Sequence, residues 1–150
     1  MMMTLQDMSD RLEIQDLLTR YSHHIDSQNF EGLDDIFVAD AFIDYTAVGG
    51  QKGTLPEIKA YLSAALVPFT GMQHMLGLPE IKIEGDVADV RTICFNPMVL
   101  EMEGEQKVFF VGVWYVDEMV RVGGNWRIKT RREELSYFHN LPDGFEPVQT

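Results

Sequence analysis

Two side chains of the sequence, Asp26 and His74, could together act as a general base. Asp26 ends an amphipathic segment that spans residues 10–26, and His74 lies far along the chain from it. A carboxylate at the carboxyl end of a helix faces the negative pole of the helix dipole, so an acid there needs a positively charged partner. A histidine can be that partner, because an aspartate orients an imidazole that removes a proton. The two residues therefore predict proton-transfer chemistry.

The same residues also have a purely structural interpretation, which the sequence leaves open. His74 could be a histidine of the core or of a sheet edge, and Asp26 would then be a solvated acid at a helix end. The remaining histidines, His23, His24 and His139, are expected at the surface. No two histidines and a carboxylate have the helical spacing of a metal site, so we expect no metal.

Helical periodicity dominates the first half of the chain and supplies the element that carries Asp26. The pattern of apolar residues predicts helices over 10–26, 29–37 and 55–66 and a strand over 41–45. Asp10 and Glu13 have the spacing of a capping box, and Thr54 is a plausible N-cap for the helix that follows it. These signals predict a helical layer that comes first in the chain.

From residue 70 onward the pattern changes to the period-two alternation of strands. Strands are predicted over 73–78, 81–84, 87–99, 107–121 and 126–138. Gly85-Asp86 and residues 123–125 are hairpin signals between neighbouring strands. Helices first and antiparallel strands afterwards predict an α+β fold, with the helices on one face of a curved sheet.

One predicted strand, residues 108–116, is apolar on both of its faces. A strand of this kind is buried on both sides, and the helices can cover only one side of the sheet. We therefore expect a second subunit on the outer face, centred on 108–116 and 87–98. The simplest assembly is a homodimer, with a trimer as the other possibility.

Composition restricts the class of protein. The 150 residues are expected to form a single domain, 1–150, and the net charge of −12 with only 12 Lys and Arg disfavours nucleic acid as a partner. Cys94 is the only cysteine, so neither a disulfide framework nor a cysteine zinc site is expected. We find no signal peptide and no span of ~20 apolar residues, which predicts a cytoplasmic protein without a membrane partner. Residues 142–150 are expected to be a loosely attached tail.

Several segments together resemble the SnoaL-like branch of the nuclear transport factor 2-like superfamily, over nearly the whole chain. They are Ile14-Gln15-Asp16-Leu17, the following Asp26, Gly49-Gly50 and the last predicted strand, 126–138. The resemblance implies a cone-shaped α+β barrel. Its curved mixed or antiparallel sheet would wrap around the N-terminal helices and enclose one deep apolar pocket.

The resemblance also implies an active site. Scytalone dehydratase, bile acid 7α-dehydratase and hexachlorocyclohexane dehydrochlorinase belong to this branch, and their Asp–His dyad falls on Asp26 and His74. The bile acid enzyme has tyrosines that match Tyr21 and Tyr45. The dehydrochlorinase has a lysine in place of Tyr21, which disfavours its reaction here. This chain also lacks the second pocket histidine of scytalone dehydratase on a central strand, which disfavours that particular reaction.

An arginine on the last strand of the dehydrochlorinase aligns with Arg131. Strict alternation from Trp126 and Ile128 instead places Arg132 on their apolar face, unless a bulge reverses the alternation. We keep Arg131 as the candidate, with Arg132 as the alternative.

The expected function is that of a cofactor-independent lyase, with dehydration favoured, acting on a small and largely apolar substrate of steroid, polyketide or other ring type. One alternative is a catalytically silent domain that binds a small ligand or dimerises. Another is an isomerase like the ketosteroid enzymes, in which Asp44 would have to be the base. The side chains expected to form the core and pocket lining are Met72, Met75, Phe95, Met98, Phe109 and Trp114.

Overall fold

The computed structural model describes residues 2–145. The helices of this range are α1 (Leu5–Asp26) and α2 (Leu55–Ala65), with 3₁₀ turns at Phe30–Asp35 and Thr46–Val48. The strands are β1 (Phe37–Asp44), β2 (Lys52–Thr54), β3 (Phe69–Met72), β4 (Met75–Leu76), β5 (Glu80–Glu84), β6 (Val87–Met102), β7 (Glu105–Val122) and β8 (Asn125–His139). Neither helix combines the length and apolar character that crossing a membrane requires.

The strands form one mixed sheet in the order β2-β1-β8-β7-β6-β3, and β4 and β5 also pair with β6. All pairings are antiparallel except that of β1 with β8, which is parallel. The predicted α+β class with a curved sheet and N-terminal helices is confirmed. The sheet is unclosed, however, because no hydrogen-bonded ladder of the described residues joins β2 to β3.

Helix α1 begins at Leu5 and not at Asp10, because its capping box is formed by Thr4 and Asp7. The Thr4 backbone N–H donates to Asp7 Oδ2 at 2.8 Å, and the Asp7 N–H donates to Thr4 Oγ1 at 3.1 Å. Asp10 is instead a buried residue of the helix, where its carboxylate accepts two bonds from Arg121 and one from Trp126 Nε1. These bonds, chiefly those from Arg121, lower the pKa of Asp10 to about 2. Sequence spacing alone does not distinguish such an acid from a cap.

The segment around His74 also differs from the prediction of one strand over 73–78. Two short strands, β3 and β4, pair with β6 on either side of the dipeptide that contains His74. The interruption leaves His74 outside the sheet ladder. Helix α2, by contrast, begins as predicted, because the Glu57 carboxylate accepts from the N–H of Thr54 at 2.8 Å.

The side chains of β7 alternate between the two faces of the sheet. Its inward side chains, which pack in the core, are Phe109, Val111, Val113 and Tyr115, and its outward ones are Val108, Phe110, Trp114 and Val116. The outward residues are only half-buried, which is less than the two-sided apolar pattern predicts for the single chain.

The last described residues are not loosely attached. The ring of Phe145 lies 6.1 Å from the rings of both Phe69 and Phe109, measured between centroids. The side chain of Phe145 therefore packs against the body of the protein. The rest of the predicted tail, residues 146–150, lies outside the described residues.

Candidate functional site

Asp26 and His74 are in direct contact. The His74 Nδ1 lies 2.6 Å from Asp26 Oδ1, and the His74 backbone N–H donates to both carboxylate oxygens at 3.1 and 3.0 Å. These hydrogen bonds stabilise the Asp26 carboxylate, which lies at the end of α1 where the helix dipole disfavours a negative charge. The His74 side chain is 10% exposed and that of Asp26 is 25% exposed. Because the carboxylate accepts the proton of Nδ1, the lone pair of the neutral imidazole lies on Nε2.

His74 lines a cavity of about 420 Å³ between the helices and the inner face of the sheet. Its apolar walls come from α2, β6 and β7, and include Leu62, Leu66, Met98, Phe109, Val111 and Val113. Its polar lining is formed by Tyr21, Tyr45, Tyr61, His74, Asn96, Tyr115 and Glu133. A cavity of this size and character suits a compound of one or two rings with few polar groups.

Tyr21 on α1 and Tyr45 at the end of β1 meet in the cavity wall. Their hydroxyl oxygens lie 2.7 Å apart, and both side chains are buried. Burial raises the pKa of each phenol, so both remain protonated at neutral pH. In such a pair one hydroxyl donates to the other, which leaves one O–H free to donate to a bound molecule.

Arg131 is buried, but it is not among the residues that line the cavity. Its guanidinium donates two bonds of 2.7 Å to the carboxylate of Asp117. It also stacks on Tyr21 and Tyr115, with 4.1 Å between the guanidinium carbon and each ring centroid. Arg131 therefore lies behind the tyrosines and outside the cavity.

A bulge decides between the two arginines of β8. The register of β8 against β7 shifts between Glu118 and Met119, so the alternation that starts at Trp126 is reversed after Ile128. Arg131 consequently points inward, and Arg132 is exposed and bonded to a surface glutamate. The bulge that the sequence left open as a possibility is therefore present, and it reverses the strict alternation.

Glu133 and Asn96 are among the polar residues of the cavity that the sequence analysis missed. Glu133 follows Arg131 by two positions and shares its face of β8, so the correct parity of Arg131 would have identified it. Asn96 has the same parity as Cys94 and Met98, the inward residues of β6 on either side of it. Glu133 Oε2 and Asn96 Oδ1 are both buried, and neither has a hydrogen-bond partner among the described residues. Burial raises the pKa of Glu133 to about 8.

Three of the residues expected to line the pocket or core do not do so. Met75 is 55% exposed, Phe95 is 37% exposed and Trp114 lies on the outer face of the sheet. The parity of β6 and β7 turns Asn96 and Tyr115 inward and Phe95 and Trp114 outward, and Met75 of β4 lies opposite Phe95 on the same outer face. Met98 and Phe109 line the cavity as expected, and Met72 is buried.

The other titratable residues lie away from the dyad. The Asp44 carboxylate accepts bonds from the backbone and hydroxyl of Thr46 and does not line the cavity, which gives no support to an isomerase with Asp44 as its base. Cys94 is buried, and burial raises its pKa to about 12. Within residues 2–145, no three side chains of the His, Cys, Asp and Glu types come together as a metal site would require.

Comparisons with known proteins agree with this architecture. Residues 6–132 match the model of the SnoaL-like domain family. The uncharacterized protein Rv2910c of Mycobacterium tuberculosis is 46% identical over 140 residues, which cover 93% of this chain and 94% of the relative.

Solved structures resemble the fold at lower identity. A scytalone dehydratase-like protein of Novosphingobium aromaticivorans superposes with a TM-score of 0.81 at 22% identity, over 93% of both chains. A hexachlorocyclohexane dehydrochlorinase of Novosphingobium barchaimii does so with a TM-score of 0.77 at 19% identity, over 97% of this chain and 99% of the other. At such identities the likeness concerns the fold alone. Because the family model spans most of its length, the chain belongs to the SnoaL-like domain family of the nuclear transport factor 2-like superfamily.

Proposed function

We propose that this protein is a cofactor-independent lyase that removes water from a small, largely apolar substrate. The observation that carries the proposal is the 2.6 Å contact between His74 Nδ1 and Asp26 Oδ1 at the wall of the cavity. Dehydratase and dehydrochlorinase structures of the same fold support a lyase as the reaction class. The aromatic and aliphatic walls favour a ring compound as the substrate.

In the proposed reaction His74 Nε2 removes a proton from a carbon next to a carbonyl group. Asp26 holds the imidazole in the required tautomer and stabilises the imidazolium that forms. The free hydroxyl of the Tyr21–Tyr45 pair donates to the carbonyl oxygen as negative charge develops there.

Arg131 acts in this scheme as a positioning residue. Its cation lies against the ring of Tyr21, which holds the ring in place and increases the acidity of the hydroxyl. Arg131 itself does not touch the substrate.

The first prediction tests the base. Replacing His74 by Ala should lower the rate of elimination at least ~100-fold, within the range known for a general base. The substrate is the β-hydroxy ketone formed from benzaldehyde and acetone, whose dehydration product absorbs in the ultraviolet. His23→Ala is the matched control, because His23 is an exposed residue of the same helix as Asp26. Equal rates in the wild type and His74→Ala would contradict the mechanism and favour a silent binding domain.

We also propose that the outer face of the sheet is covered by a second copy of the chain. Its exposed apolar side chains include Ile93, Phe95 and Tyr137. The guanidinium carbon of Arg91 lies 4.5 Å from the centre of the Trp114 ring, and Phe95 stacks on Phe110 with 5.3 Å between centroids. An apolar patch of this kind is typical of a subunit interface.

The second prediction concerns this assembly. Phe110→Asp should yield a folded monomer, because it places a charge on the outer face. Val113→Asp should unfold the protein, because burying an unpaired carboxylate costs several kcal/mol and Val113 faces the cavity. Val111 has the same inward parity as Val113 and is equally unsuited to test the interface. Light scattering and circular dichroism separate the outcomes, and a wild type that is monomeric at micromolar concentration would contradict the assembly.

A further inference from the structure

Glu133 is a carboxyl group of the cavity to which the mechanism above gives no role. It lies on the inner face of β8, directly opposite Tyr115 of β7, and it lines the same cavity as His74. Although the residue as a whole is only partly buried, its Oε2 atom is enclosed and lacks a hydrogen-bond partner among the described residues. An enclosed carboxyl oxygen without a partner is costly, unless a ligand supplies the missing bond.

The cavity contains a second enclosed oxygen that lacks a hydrogen-bond partner among the described residues. Asn96 Oδ1 is also enclosed and without a hydrogen-bond partner in the described part of the chain. Asn96 and Glu133 come from different strands, β6 and β8, yet both line the cavity, whose other walls are mainly apolar. Asn96 lies opposite Val111 and Glu133 lies opposite Tyr115, so each oxygen can bind a different polar group of a ligand, and such oxygens favour an alcohol over a hydrocarbon or halide.

The surroundings of Glu133 keep its carboxyl group neutral. The titratable groups around it on the packed elements are Arg131, Asp44, Tyr21, Tyr45, Tyr61, Tyr115, Cys94 and His74. Burial raises the pKa of Glu133 to about 8, Arg131 opposes this shift and the charge of Asp44 adds to it. A carboxyl group with that pKa is mostly protonated at pH 7, and can therefore donate its proton.

We propose that Glu133 is the general acid of the cavity, and that the substrates are neutral β-hydroxy carbonyl compounds whose hydroxyl group lies against the Glu133 carboxyl group. This inference rests on the proposed lyase function, and it adds the group that makes hydroxide departure feasible. Hydroxide is a poor leaving group, so an acid that protonates it as it leaves is needed at neutral pH.

The proposed step is balanced within the site. His74 Nε2 takes the proton from the carbon next to the carbonyl, and the electron pair of that C–H bond becomes the new C=C bond. The C–O bond breaks with its electron pair on oxygen, and this oxygen takes the proton of Glu133 and leaves as water. The site then holds an imidazolium and the Glu133 carboxylate, and Arg131 stabilises the latter. Proton transfer from His74 to Glu133 through water restores the starting state.

The test compares two leaving groups on one carbon skeleton. The substrates are the β-hydroxy ketone formed from benzaldehyde and acetone, and the acetate ester of that alcohol, because acetate departs without protonation. Glu133→Gln keeps the shape and hydrogen bonding of the neutral acid but has no proton to deliver. It should slow elimination of water at least ~100-fold and leave elimination of acetate within about threefold of the wild type. Glu101→Gln, at an exposed position of β6, is the matched control.

The outcomes distinguish this inference from the lyase proposal. If His74→Ala slows both substrates while Glu133→Gln slows both equally or neither, the base is supported and the acid is overturned. If His74→Ala leaves both rates unchanged, the lyase proposal fails. A wild type that eliminates neither group contradicts both the lyase and the proposed substrate class.

A measurement without substrate tests independently whether the Glu133 carboxyl group is protonated at neutral pH. The protein is labelled with ¹³C at its glutamate carboxyl carbons, and the Glu133 signal is assigned by its loss in Glu133→Gln. Titration of that signal should have its midpoint at about 8. A midpoint near the ordinary value of 4.5 would overturn the inference, because Glu133 would then be ionised at pH 7.

Discussion

Replacing Asp26 by Asn is expected to lower the elimination rate by on the order of 10³-fold, with a smaller effect on KM. In buried triads the same exchange costs ~10⁴-fold, because the imidazole adopts the wrong tautomer. The effect should be smaller here, since the Asp26 side chain is 25% exposed. Both oxygens of Asp26 accept from the His74 backbone N–H, at 3.1 and 3.0 Å. An amide can accept with only one of its two atoms, so its NH₂ group is free to face Nδ1 and to shift the imidazole proton to Nε2.

The measurement is kcat on the β-hydroxy ketone together with the ¹⁵N spectrum of the His74 ring. Asp16→Asn is the matched control, because Asp16 is an exposed acid of the same helix. The spectrum separates a loss of activity through tautomer exchange from a loss through unfolding. A variant that retains wild-type kcat, with its proton still on Nδ1, would remove Asp26 from the mechanism.

Arg131→Met is expected to give the largest loss of stability among the site variants. Arg131 and Asp117 form a fully buried pair with two bonds of 2.7 Å. Removing one partner of such a pair typically costs about 3–5 kcal/mol in the free energy of unfolding, because the other charge remains buried without compensation. Stacking on Tyr21 and Tyr115 is lost as well.

Urea unfolding measures this loss. Arg132→Met, the matched control at the neighbouring exposed position, should change the free energy of unfolding by about 0.5 kcal/mol or less. The double variant Arg131→Met with Asp117→Leu should recover much of the stability, because it leaves no unpaired charge. Equal stability of Arg131→Met and Arg132→Met would show that the ion pair makes no contribution.

Local sequence patterns were sufficient to predict the helices and strands that carry the site. The stripe of α1 and the cap of α2 at Thr54 could be predicted because helix periodicity and capping act within a few neighbouring residues. The hairpins β5–β6 and β7–β8 could be predicted for the same reason, through alternation and turn residues. The pairing of Asp26 with His74 was predicted from the family resemblance and not from spacing, since 48 positions separate the two residues in the sequence.

The sequence by itself thus determined the α+β class, with helices before long antiparallel strands, and the net charge, because each of these depends on composition or on short-range pattern. The tertiary structure alone decided which side of each strand faces the cavity. One bulge in β8 turned Arg131 and Glu133 inward, and the register of β6 turned Phe95 outward. A shift of one residue reverses every later side chain of a strand, and the neighbouring strands that cause it are distant in sequence. For that reason Glu133 could be recognised as a residue of the cavity only from the folded structure.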